Sequence, residues 1–187
     1  MSQIVGHAYN KVKSTFRISG TVTLYSFPAE IIPTYHDYLL IGEGKAFPSV
    51  HRARCIENGW IKEEDKNLVV NAGLNQIVLL LNGGSATNFQ SCGVGSGTST
   101  VLATDTDLTT PITRISVTAI YQSANVGHWD TFFNSTTGTG TWGEAGLFST
   151  NTLASGIMLC KKLFTSTFPK TTSNTSTVAW TLTVTAV

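Results

Sequence analysis

Thr177-Val178-Ala179-Trp180-Thr181-Leu182-Thr183-Val184-Thr185-Ala186 sets Val178, Trp180, Leu182, Val184 and Ala186 on one parity and threonines on the other. An alternation of period two is the pattern of a β-strand with one buried face. Working back along the chain, Ile115, Val117, Ala119 and Tyr121 repeat it after Pro111. Phe16, Ile18, Val22 and Leu24 repeat it near the start, with Gly20 as a bulge or close approach. Further strands are predicted over His128–Asn134, Trp142–Phe148 and Ile157–Phe164. The connecting stretches 135–140, 149–152 and 170–176 have turn compositions of Ser, Thr, Asn and Gly. Many short strands at close spacing predict an all-β fold, a β-sandwich or jelly roll.

One helix interrupts this pattern. Leu74, Ile77, Val78 and Leu81 fall at helical spacing on one stripe, with Asn71 placed to cap the start and Gly83-Gly84 to end it. It is expected to cap one end of the sandwich. Residues 25–66 are less regular: Pro28, Pro33 and Pro48 break them up, and 52–65 is polar enough for helix or loop. The expected organisation is an extended N-terminal arm or small subdomain over 1–66, with a strand near 15–25, followed by a sandwich domain over 67–187.

The charges divide the same way. Of 12 basic and 11 acidic residues, eight basic and seven acidic precede residue 67. Only eight charged residues serve the rest, which is built of Thr, Ser, Gly and apolar residues. A surface so poor in ionised groups suits a module packed into an assembly better than a free monomer. A net charge of +1, with bases and acids nearly matched, gives no nucleic-acid stripe. The longest apolar run, Ile77–Leu81, is far too short for a helical membrane span, and the first ten residues do not read as a signal peptide. Synthesis and assembly in the cytoplasm are therefore expected.

Candidate chemistry is sparse. Cys55, Cys92 and Cys160 match no zinc or redox spacing and read as buried thiols, with disulfides left open. Gly93-Val94-Gly95-Ser96-Gly97 lacks the Lys-Ser/Thr ending of a phosphate cradle and is expected to be a turn between strands. His7, His36, His51 and His128 are dispersed. Asp105-Thr106-Asp107 has two carboxylates suited to calcium but no glycine or distal Glu of a hand motif, so an Asx turn is expected there. No cofactor, no metal and no catalytic set is read.

Two other features stand out. Trp129 and Trp142 flank loop 135–140 and are candidates for a sugar-stacking platform or for core and interface packing. Glu144 lies in a strand of small and apolar residues, where an unpaired buried carboxylate is costly. It is expected to be a structural carboxylate, satisfied by backbone N–H groups or by Arg114 or Lys170. Asn134-Ser-Thr and Asn174-Thr-Ser match the glycosylation pattern, which carries little without a secretion signal.

From residue 66 onward the order of motifs resembles a family of tailed-bacteriophage virion proteins of the head-decoration, collar or tail-fibre-like kind. The pieces are Lys66-Asn67-Leu68-Val69-Val70-Asn71-Ala72-Gly73-Leu74, then Cys92-Gly93-Val94-Gly95-Ser96-Gly97-Thr98, then Ala103-Thr104-Asp105-Thr106-Asp107-Leu108. Trp142-Gly143-Glu144-Ala145-Gly146-Leu147-Phe148 and Phe168-Pro169-Lys170 before the final strand complete the series. The resemblance implies an all-β, non-enzymatic virion subunit, a homo-oligomer that binds capsid, neck or tail subunits. The rival expectation is a carbohydrate-binding module of a tail fibre, built on Trp129 and Trp142 and used for host attachment.

Overall fold

The computed structural model describes residues 16–30 and 49–186. Ten strands form two antiparallel sheets. The first sheet comprises β1 (Phe16–Pro28), β2 (Ile61–Lys66), β6 (Ala119–Ser123), β7 (Val126–Phe133) and β10 (Asn174–Ala186), in the order β2-β1-β10-β7-β6. The second comprises β3 (Leu68–Val69), β4 (Ser91–Gly95), β5 (Pro111–Ser116), β8 (Gly140–Phe148) and β9 (Met158–Lys170), in the order β3-β9-β8-β4-β5. Helices α1 (Ser49–Glu57) and α2 (Asn71–Leu81) lie in the connections. The fold is an all-β sandwich with a short helix.

The alternation read at 177–186 is what closes the molecule. Val178 and Trp180 face Phe133, Trp142, Leu147, Leu159 and Cys160 in the core between the sheets, as inward residues of two stacked sheets do. The far end of β10 runs past this core, and Val184 is exposed.

Four expectations need correction. The described strands of 1–66 are not separable from the sandwich: β1 is paired along its whole length with β10, from Phe16↔Ala186 to Pro28↔Asn174, and its other edge takes β2. Val22 and Leu24 accordingly sit in the main core. The rest of the expected arm, residues 1–15 and 31–48 with Pro33 and Pro48, lies outside the described residues. Second, Ile115–Tyr121 is not one strand. The chain crosses between sheets at 117–118, where Val117 N–H donates to Gln90 O and Thr118 N–H to Asp130 O, so parity carries across a change of sheet. Third, Gly93 and Gly95 belong to strand β4, not to a turn.

The fourth concerns α2. Asn71 is its first helical residue, and Val70, which precedes it, makes no side-chain cap. The glycines do end it: Gly83 has φ 72°, and Gly83 N–H and Gly84 N–H reach back to Leu80 O and Leu79 O, a left-handed C-terminal turn that only glycine adopts without cost. The helix docks by its backbone. Gly73 is buried, and a Cβ there would collide with Leu159 O. The side that approaches the sandwich is therefore the glycine side together with Ile77, and Leu74, Val78 and Leu81 point away from it.

Candidate functional site

The residues that looked unrelated in sequence converge on the outer face of the second sheet. Arg114, Gly93, Gly146 and Lys161 are mutual partners across four neighbouring strands, β5, β4, β8 and β9. Two long cations thus flank two glycines in one row. The empty space over the glycines is filled from above: a Cβ on Gly146 would meet the Phe148 ring at 2.8 Å and Leu108 at 3.2 Å. Leu108 belongs to segment 96–110, which lies across this face as a strap and forms a second small core with Val70, Phe148 and Met158.

The strap is pinned by charge. Arg114 Nη2 donates to Asp107 Oδ1 at 2.7 Å, and Nη1 donates to Thr152 O at 2.9 Å and Ser155 O at 2.7 Å. Its guanidinium lies 3.5 Å from the centre of the Phe148 ring, a desolvated cation–π contact. Burial lowers its pKa from the ordinary arginine value. Lys161 Nζ sits 3.1 Å from Asp105 Oδ2 and 3.1 Å from Glu144 Oε2, and donates to Asp107 O and Thr109 Oγ1 at 3.2 Å each. Glu144 Oε1 accepts the Thr110 N–H at 2.8 Å. Glu144 Oε2 meets the ammonium at ion-pair distance but off the line of a hydrogen bond.

The backbone N–H that Glu144 was expected to find is that of Thr110, but its cation is Lys161. Arg114 serves Asp107, and Lys170 is buried elsewhere, donating to Ser135 O, Thr171 O and Asn174 O. The diagonal relation of Glu144 to Lys161 is set by the β8–β9 register, which sequence order does not reveal. Asp105 and Asp107 are already neutralised by this chain's own cations, and the described residues contain no His/Cys/Asp/Glu group able to hold a metal ion.

The two tryptophans do not form an exposed pair of sugar-stacking faces. Trp142 is completely buried, packed edge-on against Phe133 and Phe168, with its indole N–H donating to Gly138 O at 2.6 Å. Trp129 is half-buried against the core and donates to Phe89 O. The cysteines are buried free thiols. His128 stacks on Tyr121; His7 and His36, and the side chain of His51, lie outside the described residues. Asn134 Oδ1 accepts the N–H groups of Thr136 and Thr137, capping a turn.

The charges of residues 67–186 have one common fate. Arg114, Asp130, Glu144, Lys161, Lys162 and Lys170 are all buried, and Asp105 and Asp107 are half-buried against their cations. Lys162 spans the two sheets at their edge, 3.0 Å from Glu63 and 2.6 Å from Asp65 of β2. This part of the chain presents no fully exposed ionised side chain. Its exposed surface is made of uncharged polar side chains and of one apolar patch, Leu74, Val78, Leu79, Leu80 and Leu81 of α2, a helix with no charged residue. No helix among the described residues is long and apolar enough to cross a membrane.

No protein-family model, curated protein or solved structure matches this chain.

Proposed function

We propose that this chain is a non-enzymatic structural subunit of a tailed-bacteriophage virion, a head-decoration or cement protein or a neck or tail accessory subunit. It binds other virion subunits and copies of itself. The reading is carried by the absence of any fully exposed charge over residues 67–186. Freely diffusing domains keep a substantial charged fraction at the surface and avoid large apolar patches. A subunit that is covered by neighbours needs neither safeguard, and the uncharged aliphatic face of α2 supplies a surface for such a neighbour. The order of sequence motifs that resembles phage virion proteins supports the same reading. The glycan-binding alternative is the weaker reading, since Trp142, one of its two aromatics, is completely buried.

Light scattering on the purified protein, with co-sedimentation on heads and tails of a phage that carries it, tests this reading. A defined oligomer or particle-bound protein is the expected result. The double substitution Val78→Glu and Leu81→Glu, on a face that makes no core contact, is expected to abolish association while leaving the melting temperature and circular dichroism unchanged. A stable wild-type monomer that binds neither heads nor tails overturns the proposal.

A further inference from the structure

Lys161, Asp105 and Glu144 have the composition and placement of a self-condensing site, and we propose that Lys161 and Asp105 become joined by an isopeptide bond. Three roles are needed: an amine, a carboxyl carbon within reach, and a second acid to move protons. The Lys161 ammonium is 2% exposed and lies 3.1 Å from an oxygen of each acid. Asp107 O and Thr109 Oγ1 fix its direction. Asp105 is the electrophile because its side chain is 21% exposed, leaving a path for the leaving oxygen. Glu144 is fully buried and held at Oε1 by the Thr110 N–H. Its Oε2 has no hydrogen bond and faces the amine, the position of a proton carrier.

The step balances without an external reagent. Glu144 Oε2 takes a proton from the ammonium and passes it to an Asp105 carboxyl oxygen, leaving a neutral amine against a neutral acid. Lys161 Nζ attacks Asp105 Cγ, and the new C–N bond replaces one C–O bond. The departing oxygen carries off that proton and a second from nitrogen, relayed by Glu144, and leaves as water. The three ammonium hydrogens end as one amide N–H and two on water; nothing is oxidised or reduced. Pre-positioning supplies the effective concentration that the reaction lacks in solution. Condensation also replaces two charges held out of water, an arrangement with a large desolvation cost, by one neutral amide. The product N–H can donate to Glu144 Oε2, completing its coordination. The bond would tie the strap to β9 covalently.

Intact mass of the full chain, measured after denaturation, reads the reaction directly. The expected mass is short of the sequence mass by one water, and peptide fragmentation is expected to place the link between Lys161 and Asp105. Asp105→Asn is expected to lose one ammonia instead, because the same carbon then carries an amide, and Asp105→Ala is expected to show its full mass. Glu144→Gln is expected to keep its full mass or condense at least tenfold more slowly. A wild-type chain of full sequence mass overturns the proposal, as does a link from Lys161 to Glu144. Water loss that persists unchanged in Glu144→Gln overturns the role of Glu144. The asparagine variant preserves side-chain size and keeps the test decisive should the glutamine variant not fold.

Discussion

The guanidinium carbon of Arg114 lies over the ring of Phe148, 3.5 Å from its centre, so the one arginine of the second sheet is solvated by an aromatic face and by loop carbonyls instead of by water. Arg114 thereby joins three separate pieces of chain: the sheet that carries it, the strap through Asp107, and loop 149–156 through Thr152 and Ser155. Replacing Arg114 by Ala strands the Asp107 carboxylate and the carbonyls of Thr150, Thr152 and Ser155, and is expected to cost about 3–5 kcal/mol. Chemical denaturation measures this, and limited proteolysis should find new cuts within 96–110. Arg114→Lys should recover only part of the loss, because an ammonium cannot reproduce the fork.

Gly143→Ala tests the close approach of the strap. A Cβ at 143 would stand 2.5 Å from Gly97 O, and both atoms belong to backbone with little freedom to retreat. We expect a loss of about 1–3 kcal/mol, seen as a lower midpoint in urea. Gly59→Ala is a useful contrast: nothing lies within 4 Å of its added Cβ, but its φ of 63° penalises any side chain through the backbone alone.

Asp130 of β7 sets a pH dependence. It is 6% exposed, and burial pushes its pKa up to about 7, above the ordinary value near 4. The folded chain therefore keeps a proton there that the unfolded chain has released. The contribution is most favourable below pH about 4 and is lost as pH rises through about 7. Asp130→Asn should flatten this slope and raise stability at pH 8 by about 2–4 kcal/mol at most. Thermal melts at pH 5 and pH 8 decide it; equal slopes in the two proteins would remove Asp130 as the source. Tyr25 and Tyr121 lie close enough to feel this carboxylate, and burial pushes both phenols up, Tyr25 to about 12, so neither titrates in that window.

The thiols should be silent in the native state. Cys92 and Cys160 are buried, with burial pushing Cys92 up to about 12 and Cys160 well above its ordinary value, and a thiol reacts as its thiolate. Cys55, on the buried side of α1, packs with Tyr25 and Phe27. Alkylation at neutral pH should label none of the three in the folded protein within minutes and all three in denaturant. Rapid native labelling of Cys92 would contradict the packing of Trp180 against its sulfur.

How much of this was legible in the sequence differs by the range of the interaction. Strands whose two faces differ in polarity announced themselves: Val178 and Trp180 against threonines, and Trp142 to Phe148. The glycines of β4 misled, because a residue that makes room for a strap has the same composition as one that makes a turn. Parity continued from Ile115 to Tyr121 although the chain changed sheets midway. The stripe on α2 was legible as a stripe but not in its direction: Gly73 brings the helix backbone onto Leu159 and leaves Leu74, Val78 and Leu81 exposed. At the site, Glu144 was legible as a buried acid from its neighbours alone. Its partner was not, because Lys161 reaches it only through the β8–β9 register, which is a property of pairing and not of local order.

The placement of β1 also fixes an order of events in time. Its edges are taken by β2, made soon afterwards, and by β10, which lies near the other end of the described chain. Until Val178 and Trp180 leave the ribosome, Val22 and Leu24 have half a sheet and an unpaired edge. Such an edge invites pairing with any other extended chain. A protein wired in this way gains its closed sheet in a late, cooperative step. Exchange of β1 between neighbouring chains is the misassembly that such an edge invites when many copies are made at once.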